Sequence, residues 1–165
     1  MTVQDSRRTA AEAGSRPEVE VIPVRPEHRA RWDELYAGYA AFYRVDQTPE
    51  MRDCVWGWIQ DPAHEVKGLV ALAGNGRLVG LCHFRPFARP LMSSVGGFID
   101  DLFVDPDQRG RRVVDALVDA VAREGRARGW TVLRWITADD NYRARGVYDQ
   151  LAQRTTWITY DVKLG

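Results

Sequence analysis

The stretch from Gly97 to Arg112 concentrates residues able to do chemistry. Two adjacent acids, Asp100 and Asp101, precede the apolar run Leu102-Phe103-Val104; Asp105-Pro106 then interrupts the chain, and Arg109, Arg111 and Arg112 fall where a helix is predicted to begin. Cations at a helix N-terminus oppose the macrodipole by about 0.3–1 kcal/mol each, so three of them are unfavourable unless an anion binds. The free N–H groups of such a turn attract the same anion. The plain alternative is a solvated turn in an arginine-rich chain, since of 23 basic residues only Lys67 and Lys163 are lysines. Side chains of neighbouring strand residues alternate, so only one of Asp100 and Asp101 is expected to face a given side, as a proton acceptor or as the partner of an arginine.

A second group lies at Asn141, Ala144 and Tyr148. Asn141 and Tyr148 are seven residues apart, about 10.5 Å along a helix axis and on nearly the same face. A phenol near pKa 10 is protonated at neutral pH and can act as a general acid; the competing reading is a core tyrosine on the stripe Ala144, Val147, Tyr148, Leu151. Trp32, Tyr36, Tyr39 and Tyr43 form an aromatic stripe that would be plain core or the wall of a pocket for a cation. Asp33, Glu34, Asp46, Glu50 and Asp53 surround that stripe and hint at a cationic acceptor. Cys82-His83 is no catalytic dyad, because adjacent strand residues face opposite sides; His83 reads as a buried, satisfied histidine.

These groups need a scaffold. The 165 residues suit one domain. Residues 1–18 lack apolar periodicity and are expected to be a disordered leader, with a single domain over 19–165. Val19 to Val24 reads as a strand, and Pro26 to Tyr43 as a helix with Pro26 at its first position. Thr48-Pro49-Glu50 has the cap chemistry of a second helix. Strands are predicted over 65–73 and 78–85, joined by the turn Gly74-Asn75-Gly76-Arg77, and over 97–104. Helix 109–128, with Gly129 as its stop, strand 131–137, helix 141–151 and strand 156–163 complete the chain. The order predicts an α+β or mixed α/β domain with antiparallel strands first and helical crossovers later.

Composition excludes several function classes. Lys+Arg and Asp+Glu are 23 each, so there is no basic excess for nucleic acid or anionic lipid. No apolar run approaches the length of a membrane span. Arg7-Arg8 lacks the apolar segment of a twin-arginine signal, and a cytoplasmic location is expected. Cys54 and Cys82 form no metal or disulfide pattern and are expected to be reduced and buried.

Together the two stretches resemble the GCN5-related N-acetyltransferase (GNAT) superfamily, whose later helix carries Asn-x-x-Ala-x-x-x-Tyr, matched by Asn141, Ala144 and Tyr148. The family's pyrophosphate loop reads Arg/Gln-x-x-Gly-x-Gly/Ala. Arg109 and the following Gly110 match it, whereas Arg112 and Val114 stand where the two small residues are expected. The resemblance implies a mostly antiparallel, twisted central sheet of about six to seven strands flanked by about four helices. It implies acetyl-CoA as acetyl donor, no metal, and a primary amine on a small molecule, polyamine or protein as acceptor, with a homodimer left open. The backbone of Leu102, Phe103 and Val104 would hold the pantetheine arm, and N–H groups near Phe103 would polarise the thioester carbonyl. Arg109, Gly110, Arg111, Arg112, Val113 and Val114 would bind the pyrophosphate, Arg112 adding a charge-assisted bond. Asn141 and Ala144 would complete the cofactor site. Tyr148 would protonate the departing thiolate, and Asp100, at the position where polyamine-acetylating members often carry Glu, would take the amine proton through water. A non-catalytic CoA-binding or partner-binding domain and an enzyme for longer acyl groups are the alternatives.

Overall fold

The computed structural model describes residues 19–165; the leader expected over 1–18 lies outside them. The chain runs β1 (Val19–Pro23), α1 (Arg29–Phe42), α2 (Pro49–Gln60), β2 (Lys67–Ala73), β3 (Leu78–Arg89), β4 (Ser94–Val104), α3 (Val113–Ala127), β5 (Leu133–Trp135) and α4 (Tyr142–Leu151). The sheet order is β1-β2-β3-β4-β5. Strands β1 to β4 pair antiparallel, and β5 joins β4 in parallel after the α3 crossover.

Alternation along β3 assigns the two faces. Cys82 and Phe84 join Val79, Val104, Leu117 and Val121 under α3, whereas Leu81 joins Trp32, Leu35, Tyr36 and Phe103 under α1. Both layers are fully buried at their centres, as at Leu117, Leu81 and Trp32, and each such side chain stabilises the fold by about 1.5–3 kcal/mol. Gly97 marks the tightest approach: a Cβ there would stand 2.3 Å from the Trp130 ring, so only glycine lets that indole lie on β4.

Three expectations need correction. The sheet has five strands among the described residues, not six or seven, because 156–163 pairs with nothing and is exposed throughout. Strand composition is present there, but a strand exists only against a neighbour's backbone. Helix α3 begins at Val113 rather than near 109, because Arg112 adopts a left-handed conformation, φ 57° and ψ 25°, that no helix continues through. Cys82 is buried as expected, and Cys54 is exposed.

Candidate active site

Strand β4 carries the site from end to end. In its ladder with β3, His83 pairs with Asp101 and Phe84 with Ile99, which leaves Asp100 as the extra residue of a β-bulge. The bulge overturns the expected alternation of the two acids. Asp100 accepts from Arg85 Nε at 3.2 Å and Asp101 from His83 Nδ1 at 2.8 Å. His83 and Arg85 are two residues apart on β3, so both carboxylates turn to the same face. Burial raises the Asp100 carboxyl above the ordinary carboxylate range; Arg85 opposes this and Asp101 adds to it.

Beneath the bulge lies a network the sequence did not reveal as one unit. Trp32 Nε1 donates to His83 Nε2 at 2.9 Å. An indole N–H only donates, so Nε2 presents its lone pair and the ring proton sits on Nδ1, aimed at Asp101. Tyr36 donates its hydroxyl to the same Asp101 oxygen at 3.0 Å. Sequence analysis identified Trp32 and Tyr36 as a stripe and His83 as a satisfied core histidine, and the structure agrees. Hydrogen bonds join them across a separation of 51 residues from Trp32 to His83, which no local pattern in the sequence signals.

Beyond the bulge, a cleft of about 420 Å³ opens between the end of β4, the loop into α3, α4 and the last turns of α1. Leu102, Phe103 and Val104 line it on the sheet side. Arg109, Gly110, Arg112, Val113 and Val114 line it from the loop and α3, and Asn141, Ala144 and Tyr148 from α4. Arg111 is exposed outside this lining, and Asp100 does not line it. Tyr148 packs edge-on against Trp135, with ring centroids 5.4 Å apart. Burial pushes its phenol up to about 12, with Tyr43 and Cys82 adding to the shift. Tyr39, Phe42 and Tyr43 form the facing wall, so the distal part of the aromatic stripe is pocket and its proximal part core. Three of the five acids around α1 are already neutralised: Asp33 binds Arg29 and Arg52, Glu34 binds Arg31, and Asp53 binds Arg29.

Asn141 has a definite local task. Its Oδ1 accepts from Ala144 N–H at 3.4 Å and its Nδ2 donates to Thr137 Oγ1 at 3.2 Å, so it is the N-cap of α4 rather than its first helical residue. Thr48 caps α2 in the same way, accepting from Met51 N–H at 3.3 Å. Helix α3 has no such cap: the residue in that position is Arg112, whose side chain makes no capping bond. Its guanidinium bonds forward to Asp115 at 3.0 Å. Arg109 and Arg111 have no carboxylate partner among the described residues. The loop is nevertheless held firmly, because the buried carboxylate of Asp105 binds Arg31 and, at 2.8 Å, Arg77, and accepts from Asp107 N–H. Gly110 has φ +84° and Arg112 φ +57°. The loop thus has a left-handed turn at the position of the missing family glycine, with arginine in it. Uncapped N–H groups, unpaired guanidiniums and a cleft leading away along β4 fit a ligand with an anionic end and a long neutral arm.

Residues 32–152 match the acetyltransferase (GNAT) family model. The chain belongs to that family and is an N-acetyltransferase. It is 23% identical over 141 residues to the D-amino-acid N-acetyltransferase HPA3 of Saccharomyces cerevisiae, a match covering 85% of this chain and 88% of that one. Among solved structures it is similar to a ribosomal-protein-alanine N-acetyltransferase from Brucella melitensis biovar Abortus 2308, with a TM-score of 0.73, 23% identity, and 88% and 99% of the two chains covered. It is also similar to the aminoglycoside N-acetyltransferase AAC(6')-Iy in complex with CoA, with a TM-score of 0.77, 20% identity, and 89% and 95% covered. No helix among the described residues is long and apolar enough to cross a membrane.

Proposed function

We propose that this chain transfers an acetyl group from acetyl-CoA directly to a primary amine, with the donor lying along the cleft and the acceptor entering near the bulge. The observation that carries this reading is the uncapped start of α3, flanked by unpaired arginines, at the mouth of a cleft that Tyr148 also lines. The N–H groups of α3's first turn and Arg109 hold the pyrophosphate, and Arg111 adds charge from outside. Asp105 N–H donates to Val79 C=O and Phe103 stands opposite Leu81, so Phe103 turns its backbone groups to β3. The outward N–H and C=O groups of Leu102 and Val104 pair with the pantetheine amides, and one of their N–H groups, rather than that of Phe103, stabilises charge on the carbonyl oxygen.

When bound, acetyl-CoA supplies a thioester carbon, where a C–N bond to the acceptor forms as the C–S bond breaks. Asp100 removes the acceptor's proton through a water, and its raised pKa makes it a better base than an ordinary aspartate. Tyr148, held protonated by burial, donates to the departing sulfur. A thiolate near pKa 8.5 is a weaker base than this phenolate, so Tyr148 acts by hydrogen bonding as charge develops and regains any lost proton from solvent. His83 and Tyr36 keep Asp101 in place beside Asp100.

The test is calorimetric titration with acetyl-CoA, followed by thiol release against D-amino acids, an aminoglycoside, a polyamine and an alanine-terminated peptide. Binding with amine-dependent release is expected. Binding without release under every amine would favour a CoA-binding domain, and release only with longer acyl-CoA would change the donor; absence of binding would overturn the reading.

A further inference from the structure

Strands β3 and β4 outrun the rest of the sheet. Strand β2 pairs with β3 only as far as Phe84, so residues 85–89 of β3 pair with β4 alone. The face of this extension that carries Asp100 also carries Arg85, Phe87 and Phe98, joined from β5 by Arg134, which stands opposite Phe98 in the ladder. Phe87 and Phe98 meet edge to face with ring centroids 6.1 Å apart, are half-buried, and belong to neither core. Gly96 makes room for them: a Cβ there would stand 2.7 Å from the Phe87 ring and 2.8 Å from Val132. The two rings form an apolar floor open to solvent rather than a piece of the interior.

Charge bounds this floor at both ends. The Arg85 guanidinium lies 5.3 Å from the Phe98 centroid, and that of Arg134 lies 5.3 Å from the Phe87 centroid. Arg85 is bound to Asp100 at 3.1 Å, and Arg89 donates to the Thr131 hydroxyl at 2.8 Å. Arg134 has no carboxylate partner among the described residues. Contacts therefore run from Arg134 over Phe87 and Phe98 to Arg85 and Asp100, with an unpaired cation at one end and the proposed proton acceptor at the other. Strand residues rise about 3.3 Å each and strands lie about 4.8 Å apart, which separates the Cα atoms of Arg134 and Asp100 by about 8 Å.

We infer that the acceptor carries a carboxylate as well as its amine, several bonds apart: the amine meets Asp100, the carboxylate pairs with Arg134, and the apolar body between them lies on Phe87 and Phe98. This rests on the proposed transfer at Asp100 and adds to it the class of acceptor, an ω-amino carboxylate. Arginine suits the task, because its planar fork gives a carboxylate two parallel N–H···O bonds while its face stays on a ring. A polyamine would bring a second cation to Arg134 and is rejected by that repulsion.

Thiol release is measured with glycine, γ-aminobutyrate and ε-aminohexanoate, each against its neutral amide, for the wild type, Arg134→Gln and Arg134→Lys. The KM of the two longer acids should lie about tenfold below that of their amides, the worth of a hydrogen-bonded charge. Glycine, whose amine and carboxylate are too close to span the floor, should show no such advantage. Arg134→Gln should raise the KM of the longer acids by a similar factor while that of the amides and the acetyl-CoA affinity stay near wild type. Arg134→Lys, which keeps the charge without the fork, should recover part of the loss. Equal KM values for acid and amide, an equal advantage for glycine, or a rise under Arg134→Gln shared by acids and amides would overturn the proposal. If no amine releases thiol, the transfer reading fails, and calorimetric titration of the longer acids onto the protein with CoA present judges the subsite separately: binding that Arg134→Gln abolishes upholds it, and no binding overturns it.

Discussion

The two ends of β4 are built on opposite rules. At the bulge, both His83 nitrogens are bonded, the Asp101 oxygen that Nδ1 reaches takes a second donor from Tyr36, and Asp100 is tied to Arg85. Past Val104, only the carboxylate of Asp105 is saturated; α3 starts without a capping side chain, and Arg109 and Arg111 lack acidic partners among the described residues. The absence is local, since α2 and α4 are capped by Thr48 and Asn141. A helix that forgoes a cap gives up about 1 kcal/mol, and clustered cations add to that cost. The saturated end holds groups in place, and the unsaturated end is shaped for something that arrives.

The comparison is most exposed to failure at His83. His83→Leu keeps the volume but leaves the Trp32 N–H without an acceptor and deprives Asp101 of a donor. A loss of about 2–4 kcal/mol is expected in urea denaturation, because buried unsatisfied groups cost more than the bonds they replace contribute. The double variant Trp32→Phe/His83→Leu, which removes the donor and its acceptor together, should cost less than the sum of the two single changes. Strictly additive losses would mean that the two side chains do not act as one network.

Tyr148→Phe probes the open end without touching the closed one. Turnover should fall about a hundredfold, the low end of general-acid contributions, while acetyl-CoA affinity measured by calorimetry and the urea midpoint stay near wild type. Unchanged turnover would return Tyr148 to the role of a core ring on Trp135.

Asp100 lies between the two rules, bonded yet, on the proposed reading, beside the acceptor. If it must be ionised to take a proton, activity falls as pH drops through its pKa, and burial places that fall above the ordinary carboxylate value of about 3.9. Asp100→Asn should remove this acid limb and lower the plateau rate. An acid limb that survives unchanged would pass the role to another group, with Asp101 first in line.

Legibility in the sequence followed the range of the interaction. Helices α1, α2 and α4 and the hairpin of β2 and β3 were readable because caps, turns and periodicity act within a few residues. The motif Asn141-x-x-Ala144 was readable, and the structure gives it a local reason, a cap. The bulge at Asp100 was not readable, since register is set by β3 and not by β4 alone. Nor was the joining of Trp32, His83 and Asp101, which needs three elements in place. The segment 156–163 was read as a strand from correct chemistry, but composition cannot supply the neighbouring edge.

The smallest expected effect separates two explanations of Arg112. A non-glycine residue at φ +57° carries about 1 kcal/mol of strain, and its i,i+3 pair with Asp115 returns a few tenths. Arg112→Gly should therefore raise stability by somewhat less than 1 kcal/mol, whereas Arg112→Ala should not, because alanine keeps the strain and loses the pair. Acetyl-CoA affinity then decides what the arginine is for. If the guanidinium stays with Asp115, Arg112→Gly binds as tightly as wild type, and the open end of β4 relies on backbone N–H groups and Arg109. If both variants lose affinity by the same factor, the guanidinium leaves Asp115 for the phosphate, and the strain at Arg112 is retained because glycine, although it suits the turn, brings no charge to it.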